Sequence, residues 1–138
     1  MKVFLDANIL VSVLNKEYPV FTYSSRVLSL ADASKYKFYT SPICLAIAYY
    51  FAEKKCGNVQ ARHKMDLLIS KLQITLVNEK TVKDTNANKR IHDFEDGLQY
   101  YSAVNSGCKC IVTEDTGDFY FSEIEVLTSR QFLEHHVF

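Results

Sequence analysis

The sequence predicts an α/β protein, a three-layer α/β/α sandwich built on a mostly parallel central sheet. Along the chain, short apolar runs alternate with longer segments of helical spacing, the order produced by a parallel sheet covered on both faces by helices. The first run, Val3, Phe4 and Leu5, is apolar without alternation, as a strand buried on both faces is. The 138 residues, 48% of them hydrophobic, suffice for one domain spanning residues 1–138 with its own core.

The elements follow in order. Residues 3–5 form the first strand, and the apolar stretch 9–14 begins a helix that is interrupted around Tyr18-Pro19. Val27, Leu28, Leu30 and Ala31 have helical spacing within a helix from 23 to about 34. Residues 37–40 read as the second strand. Ser41-Pro42 starts a helix, serine as the cap and proline in the first turn, running toward a stop at Gly57. A further helix covers 58–72, a short strand 74–77 and a short polar helix 81–88. The next helix opens on Asp93-Phe94-Glu95-Asp96, carries Phe94, Leu98 and Tyr101 on one face, and stops at Gly107. Strand 110–113, a turn over 114–118, strand 125–127 and a terminal helix capped by Thr128 or Ser129 complete the chain.

Sixteen Lys and Arg balance 16 Asp and Glu, so no global field attracts nucleic acid. A polyanion has to be held by a local patch or by metal ions. Cys44, Cys56, Cys108 and Cys110 lack zinc-ligand spacing, and His63, His92, His135 and His136 supply no matching pair. Free thiols in a reducing cytosol are expected. Asp6 breaks the apolar start too early for a signal sequence, and no run approaches the ~18 apolar residues of a membrane span. The expectation is a cytoplasmic protein with no membrane partner.

The carboxylates are the informative residues. Asp6 sits at the carboxyl end of the first strand, the edge at which open α/β sheets bind ligands. A helix that crosses over to a parallel strand starts at that same edge, so Asp96, in the first turn of the helix leading to strand 110–113, is placed there too. Asp115 directly follows that strand and Asp118 lies one turn further on. Each has an ordinary structural role open to it: Asp93 as a cap, Glu95 and Asp96 against the helix dipole, Asp115 and Asp118 around Gly117 in a turn. Together they are harder to explain that way, because clustered carboxylates repel and need a cation or shared protons. Oxygen ligands without nearby Cys or His favour Mg²⁺ or Mn²⁺, with Asn8 and Thr113 available to orient the acids. Such a site suits phosphodiester hydrolysis. Neither a Gly-rich phosphate loop nor a G-x-S-x-G elbow is present.

Residues 3–10 (VFLDANIL), 93–98 (DFEDGL) and 111–115 (IVTED) with Asp118-Phe119 resemble the three acidic motifs of PIN domains, in order and over essentially the whole chain. The chain looks like the bacterial VapC-like branch of that family. The resemblance implies a PIN-like sandwich and a metal-dependent ribonuclease acting as the toxin of a toxin–antitoxin system. It also implies Asp6, Asp96 and Asp115 as metal-binding catalytic acids, Asp118 as an auxiliary ligand and Asn8 and Thr113 as supports. Asp93 and Glu95 either support the site or only cap the helix. An RNA substrate, a cognate antitoxin and a homodimer are the implied partners.

The pattern departs from the family at one acid. PIN nucleases carry a glutamate early in the helix after the second strand, and the corresponding residue here is Ile47. Glu53, on the same helix, lies eleven residues past Pro42, roughly 16 Å along the axis. Three readings follow: an active nuclease with one weakened metal position, a catalytically impaired RNA- or protein-binding module, or an interaction protein without a ligand.

Overall fold

Val3, Phe4 and Leu5 are fully buried, and a strand with no exposed face has to lie at the centre of its sheet. The computed structural model, which describes residues 1–138, places β1 (Lys2–Leu5) between β2 (Lys37–Thr40) and β4 (Cys110–Val112). β3 (Gln73–Ile74) and β5 (Glu125–Leu127) form the two edges, giving the order β3-β2-β1-β4-β5. Every ladder is parallel, so all five strands present their carboxyl ends to one side. The strand order reverses at β1, and right-handed crossovers on either side of a reversal place helices on both faces.

Helix α1 (Ala7–Leu14) begins two residues before the expected apolar stretch because the Asp6 side chain caps it, accepting a hydrogen bond from the Ala7 N–H. α2 (Phe21–Ser29) is shorter than expected and ends in one 3₁₀ turn, Leu30–Asp32. α3 (Pro42–Ile69) is broken at Gly57 (φ +82°, ψ 169°), so the expected stop is a kink between two helical halves. Its cap is Ser41, which accepts from the Cys44 N–H and hydrogen-bonds Gln99, tying the start of α3 to the later helix α5 (Phe94–Asn105).

β3 is shorter than the expected strand 74–77. Thr75 N–H still reaches the Thr40 carbonyl at 2.8 Å, but Asn78 then turns the chain as the cap of α4 (Glu79–Ala87). β4 likewise ends at Val112, one residue early, although the Thr113 N–H bonds the Leu127 carbonyl. The terminal helix α6 (Ser129–Phe132) is capped by Thr128 with a reciprocal bond from Gln131.

One cluster of buried apolar residues unites the layers, with Phe4, Ile111 and Val112 from the central strands and Phe38 and Phe132 packed edge-to-face. α1 packs on α3, and α4 on α5. The second contact depends on Gly97. A Cβ there would stand 2.5 Å from Thr85 Cγ2 and 3.0 Å from Ile91 Cγ2, so glycine inside this helix permits close approach at the expense of helix propensity. Gly97→Ala should therefore destabilise the protein by about 1–3 kcal/mol, the usual range for overpacking, seen as a lower urea midpoint with an unchanged m-value.

Candidate active site

The reversal point of the sheet lies between the carboxyl ends of β1 and β4. The register pairs Leu5 with Val112, so the next residues, Asp6 and Thr113, emerge side by side. The Asp6 N–H extends the ladder to the Val112 carbonyl at 3.0 Å. Asp6 Oδ1 accepts from Ala7 N–H at 2.8 Å and from the Cys44 thiol at 3.7 Å, and Oδ2 accepts from the Thr113 hydroxyl at 2.9 Å. Thr113 Oγ1 in turn accepts from Asn8 Nδ2 (3.0 Å) and from the Asp115 N–H (3.1 Å). Asn8 Nδ2 also reaches Asp115 Oδ2 at 3.3 Å, while its Oδ1 accepts from Glu114 N–H at 3.0 Å. A donor and two acceptor positions on one buried hydroxyl thus join the two strand ends, and the amide orientation of Asn8 is fixed by its partners.

The other acids arrive from α5 and from the 3₁₀ turn Thr116–Phe119. Asp93 is the N-cap of α5, its Oδ1 accepting from Asp96 N–H at 3.1 Å. Asp118 N–H bonds the Asp115 carbonyl. A cleft of about 390 Å³ is lined by Asp6, Asn8, Glu95, Asp96, Asp115 and Asp118, and also by Val11, Glu17, Ile47 and Phe51. Of the residues singled out in the sequence, Thr113 stands behind this wall, fully buried, and Asp93 caps its helix without lining the cleft. Glu53 is elsewhere, accepting from Tyr49 Oη at 3.0 Å and Asn58 Nδ2 at 3.2 Å on the surface of α3.

Glu17 is the acid that sequence reasoning missed. It follows α1 in an irregular segment, where no periodicity or strand end marks it. Its position results from two local features: Lys16 has a left-handed backbone (φ 51°), and the Glu17 N–H returns to the Ser12 carbonyl at 3.0 Å. Together they fold the chain back across the end of α1. Ile47 faces the same cleft, confirming that α3 brings no carboxylate there.

Six carboxylates and no Lys or Arg line the cleft. Burial, and then the charges of Asp93, Asp118, Asp6 and Glu95, push the Asp96 carboxyl up to about 7. Burial also raises Asp6, against the opposing effect of its three hydrogen-bond donors. Burial and the charge of Asp6 push Cys44 up to about 12, which keeps it a thiol donor. No three His, Cys, Asp or Glu side chains are held in ligand position around one point. The donor set nevertheless fits a hard divalent cation: all the ionisable groups are oxygen acids, and their mutual repulsion is what a cation relieves.

The direction of the Asp96 shift has a consequence for stability. Between the ordinary carboxylate range and pH 7, folded Asp96 keeps a proton that the unfolded chain has released. Its contribution to stability therefore falls as pH rises from about 4 to about 7 and levels off above. In chelator, urea midpoints of the wild type should decline across that window, and Asp96→Asn should remove this component of the decline.

A PIN domain family model matches residues 2–117. The chain is 31% identical over 137 residues to Ribonuclease VapC1 of Aquifex aeolicus (strain VF5), covering 96% of this chain and 94% of the relative. Among solved structures, VapBC2 from Rickettsia felis, bound to a DNA fragment from its promoter, superposes with a TM-score of 0.70 at 22% identity, over 92% of this chain and 97% of that one. VapBC-1 from nontypeable Haemophilus influenzae does so with a TM-score of 0.70 at 17% identity, over 94% and 99%. At these identities the two structures speak for the fold, and the family match with the ribonuclease relative speaks for descent. With its strand order and its acid-lined reversal point, the chain belongs to the PIN domain family, in the VapC-like branch.

Proposed function

We propose that this protein is a divalent-metal-dependent endoribonuclease and the toxin of a toxin–antitoxin pair. The observation that carries this reading is the meeting of Asp6, Asp96 and Asp115, from three distant parts of the chain, in one cleft at the reversal point of a PIN domain sheet. The relative named as a ribonuclease, aligned over nearly the full length of both chains, supports it.

Asp6, Asp96 and Asp115 would hold Mg²⁺ or Mn²⁺, with Asp118 as an auxiliary ligand. Asn8 and Thr113 hold Asp6 and Asp115 in place through the hydrogen bonds described above. When bound, the ion neutralises the scissile phosphate and lowers the pKa of the attacking water. Glu95 and Glu17 add negative charge at the cleft wall, while Asp93 serves the helix end. The partners are an RNA substrate, a cognate antitoxin of the VapB type and a second copy of the chain. The exposed Ile74 in the edge strand β3, and Leu76 two residues beyond it, support association, since an uncovered apolar sheet edge is otherwise a liability.

A second reading, a binding module without catalysis, is favoured by Ile47, which lines the cleft where the family's glutamate would stand. Metal titration and an activity assay separate the two. Mn²⁺ should raise the melting temperature of the wild type by mass action and support cleavage of a mixed RNA pool, and Asp6→Asn or Asp96→Asn should lower cleavage at least 100-fold. A melting curve indifferent to Mn²⁺, with no cleavage above the Asp6→Asn level, would assign the chain to the module class. If Ile47 marks a weakened metal position, Ile47→Glu should lower the Mn²⁺ concentration needed for half-maximal stabilisation. An unchanged midpoint in that variant would mean that the cleft does not need the missing acid.

A further inference from the structure

We propose that the loop between α4 and α5 forms a nucleotide-recognition subsite for single-stranded RNA beside the acidic cleft. This rests on the ribonuclease reading for its biological meaning, but its geometry is independent of the metal-binding acids. A second cleft, of about 240 Å³, opens next to the start of α5 and is walled by Asn86, Asn88, Lys89, Ile91, His92 and Phe94. Phe94 is 47% exposed although it is a large aromatic at the first position of a helix. It stands immediately after the capping Asp93 and two residues before Asp96. The loop therefore leads directly into the helix turn that carries Glu95 and Asp96 to the acidic cleft.

The loop is held in shape by its own bonds. Asn88 Nδ2 donates to Tyr101 Oη at 3.1 Å, and Asn88 Oδ1 accepts from Arg90 N–H at 3.0 Å. Tyr120 clamps the other end: its hydroxyl donates to the Arg90 carbonyl and accepts from His92 N–H, while its ring stacks on His92 at 5.6 Å between centroids. Lys89, which lines this second cleft, and Arg90, next to it in the loop, take part in none of the molecule's five ion pairs, so the loop carries two cations without a carboxylate partner. In a chain with zero net charge, such a local patch is what a polyanion needs.

The chemistry of the walls selects the ligand class. Single-stranded RNA is read by stacking splayed bases on aromatic rings, by hydrogen bonds to base edges, and by cations on the phosphates. Phe94 offers the ring, Asn86 an amide with no partner in the fold, His92 a polar edge, and Lys89 with Arg90 the charges. A protein-docking groove would be mostly apolar, whereas only Ile91 and Phe94 are apolar here. A base stacked on Phe94 would leave the adjoining phosphates of its strand free to run toward Asp96, so the subsite would select which phosphodiester is presented for cleavage.

The test is fluorescence anisotropy of a labelled, random-sequence single-stranded RNA 12-mer with the full chain at low salt in EDTA, where binding is read without cleavage. Phe94→Ala should weaken binding about tenfold, the loss expected for one base–aromatic stack, and Phe94→Tyr should retain it. Lys89→Ala with Arg90→Ala should flatten the salt dependence of binding by about two phosphate contacts. Asn86→Ala should change the sequence preference of cleavage sites in a mixed RNA pool. Mn²⁺-induced thermal stabilisation should be the same in all these variants as in the wild type. If the wild type does not bind the 12-mer, or Phe94→Ala binds it as the wild type does, the subsite is wrong, and Mn²⁺-dependent cleavage by the wild type would leave the ribonuclease reading standing. Loss of RNA affinity in Phe94→Ala, in a protein that Mn²⁺ neither stabilises nor activates, would keep the subsite and overturn the nuclease. A variant that binds RNA normally but loses a protein partner would assign the loop to protein recognition instead.

Discussion

The parallel pairing of β1 with β4 is the constraint on which the rest depends. Its register sets Leu5 against Val112 and thereby delivers Asp6 and Thr113 to neighbouring positions at one edge. In a strand, a slip of a single residue turns every side chain to the opposite face. Such a slip would bury Asp6 or expose Leu5, and it would separate the Thr113 hydroxyl from the carboxylate it serves. The fully buried side chains of both strands penalise any alternative pairing. The same hydrophobic packing that stabilises the sheet thus also sets the positions of polar groups at its edge.

Around that fixed pair the site is assembled from parts of different rigidity. Asp6 is held by three donors, one of them the Thr113 hydroxyl, which also accepts from the Asp115 N–H, and Asn8 bonds both Thr113 and Asp115. Asp96 comes from a helix whose start is tied to the start of α3 through Gln99 and Ser41. Glu17, by contrast, stands on an irregular segment with an exposed side chain. The Asp96 carboxyl is raised first by burial and then by the neighbouring carboxylates.

The sheet and its edge were legible in the sequence because they depend on period and topology. Apolar runs without alternation identified β1 and β4, and the crossover rule then placed Asp96 and Asp115 near Asp6 without reference to any contact. Ser41-Pro42 and Asp93 marked helix starts by their chemistry, and both act as expected. What escaped was set by tertiary context. The truncation of β3 reflects an edge position and the Asn78 cap, which a run of apolar residues does not reveal. Glu17 reaches the cleft through a left-handed Lys16, a residue type with no preference for that conformation. Gly97 could be read only as a weak helix residue, since the Thr85 and Ile91 methyl groups that exclude a side chain there come from other segments.

The tight seam at Gly97 also bears on how the neighbouring loop can behave. Because Gly97 on α5 leaves room only for the Thr85 and Ile91 methyl groups, the segment between α4 and α5 is held close, and Tyr101 and Tyr120 fasten it from two sides. A surface built in this way enters an encounter already ordered, so little conformational entropy remains to be lost on association. Discrimination between ligands then depends on fit at first contact, with slow dissociation of the right one, and less on refolding around whatever arrives. Mutations that loosen the seam, even far from any charged group, would make the molecule more permissive before they made it unstable.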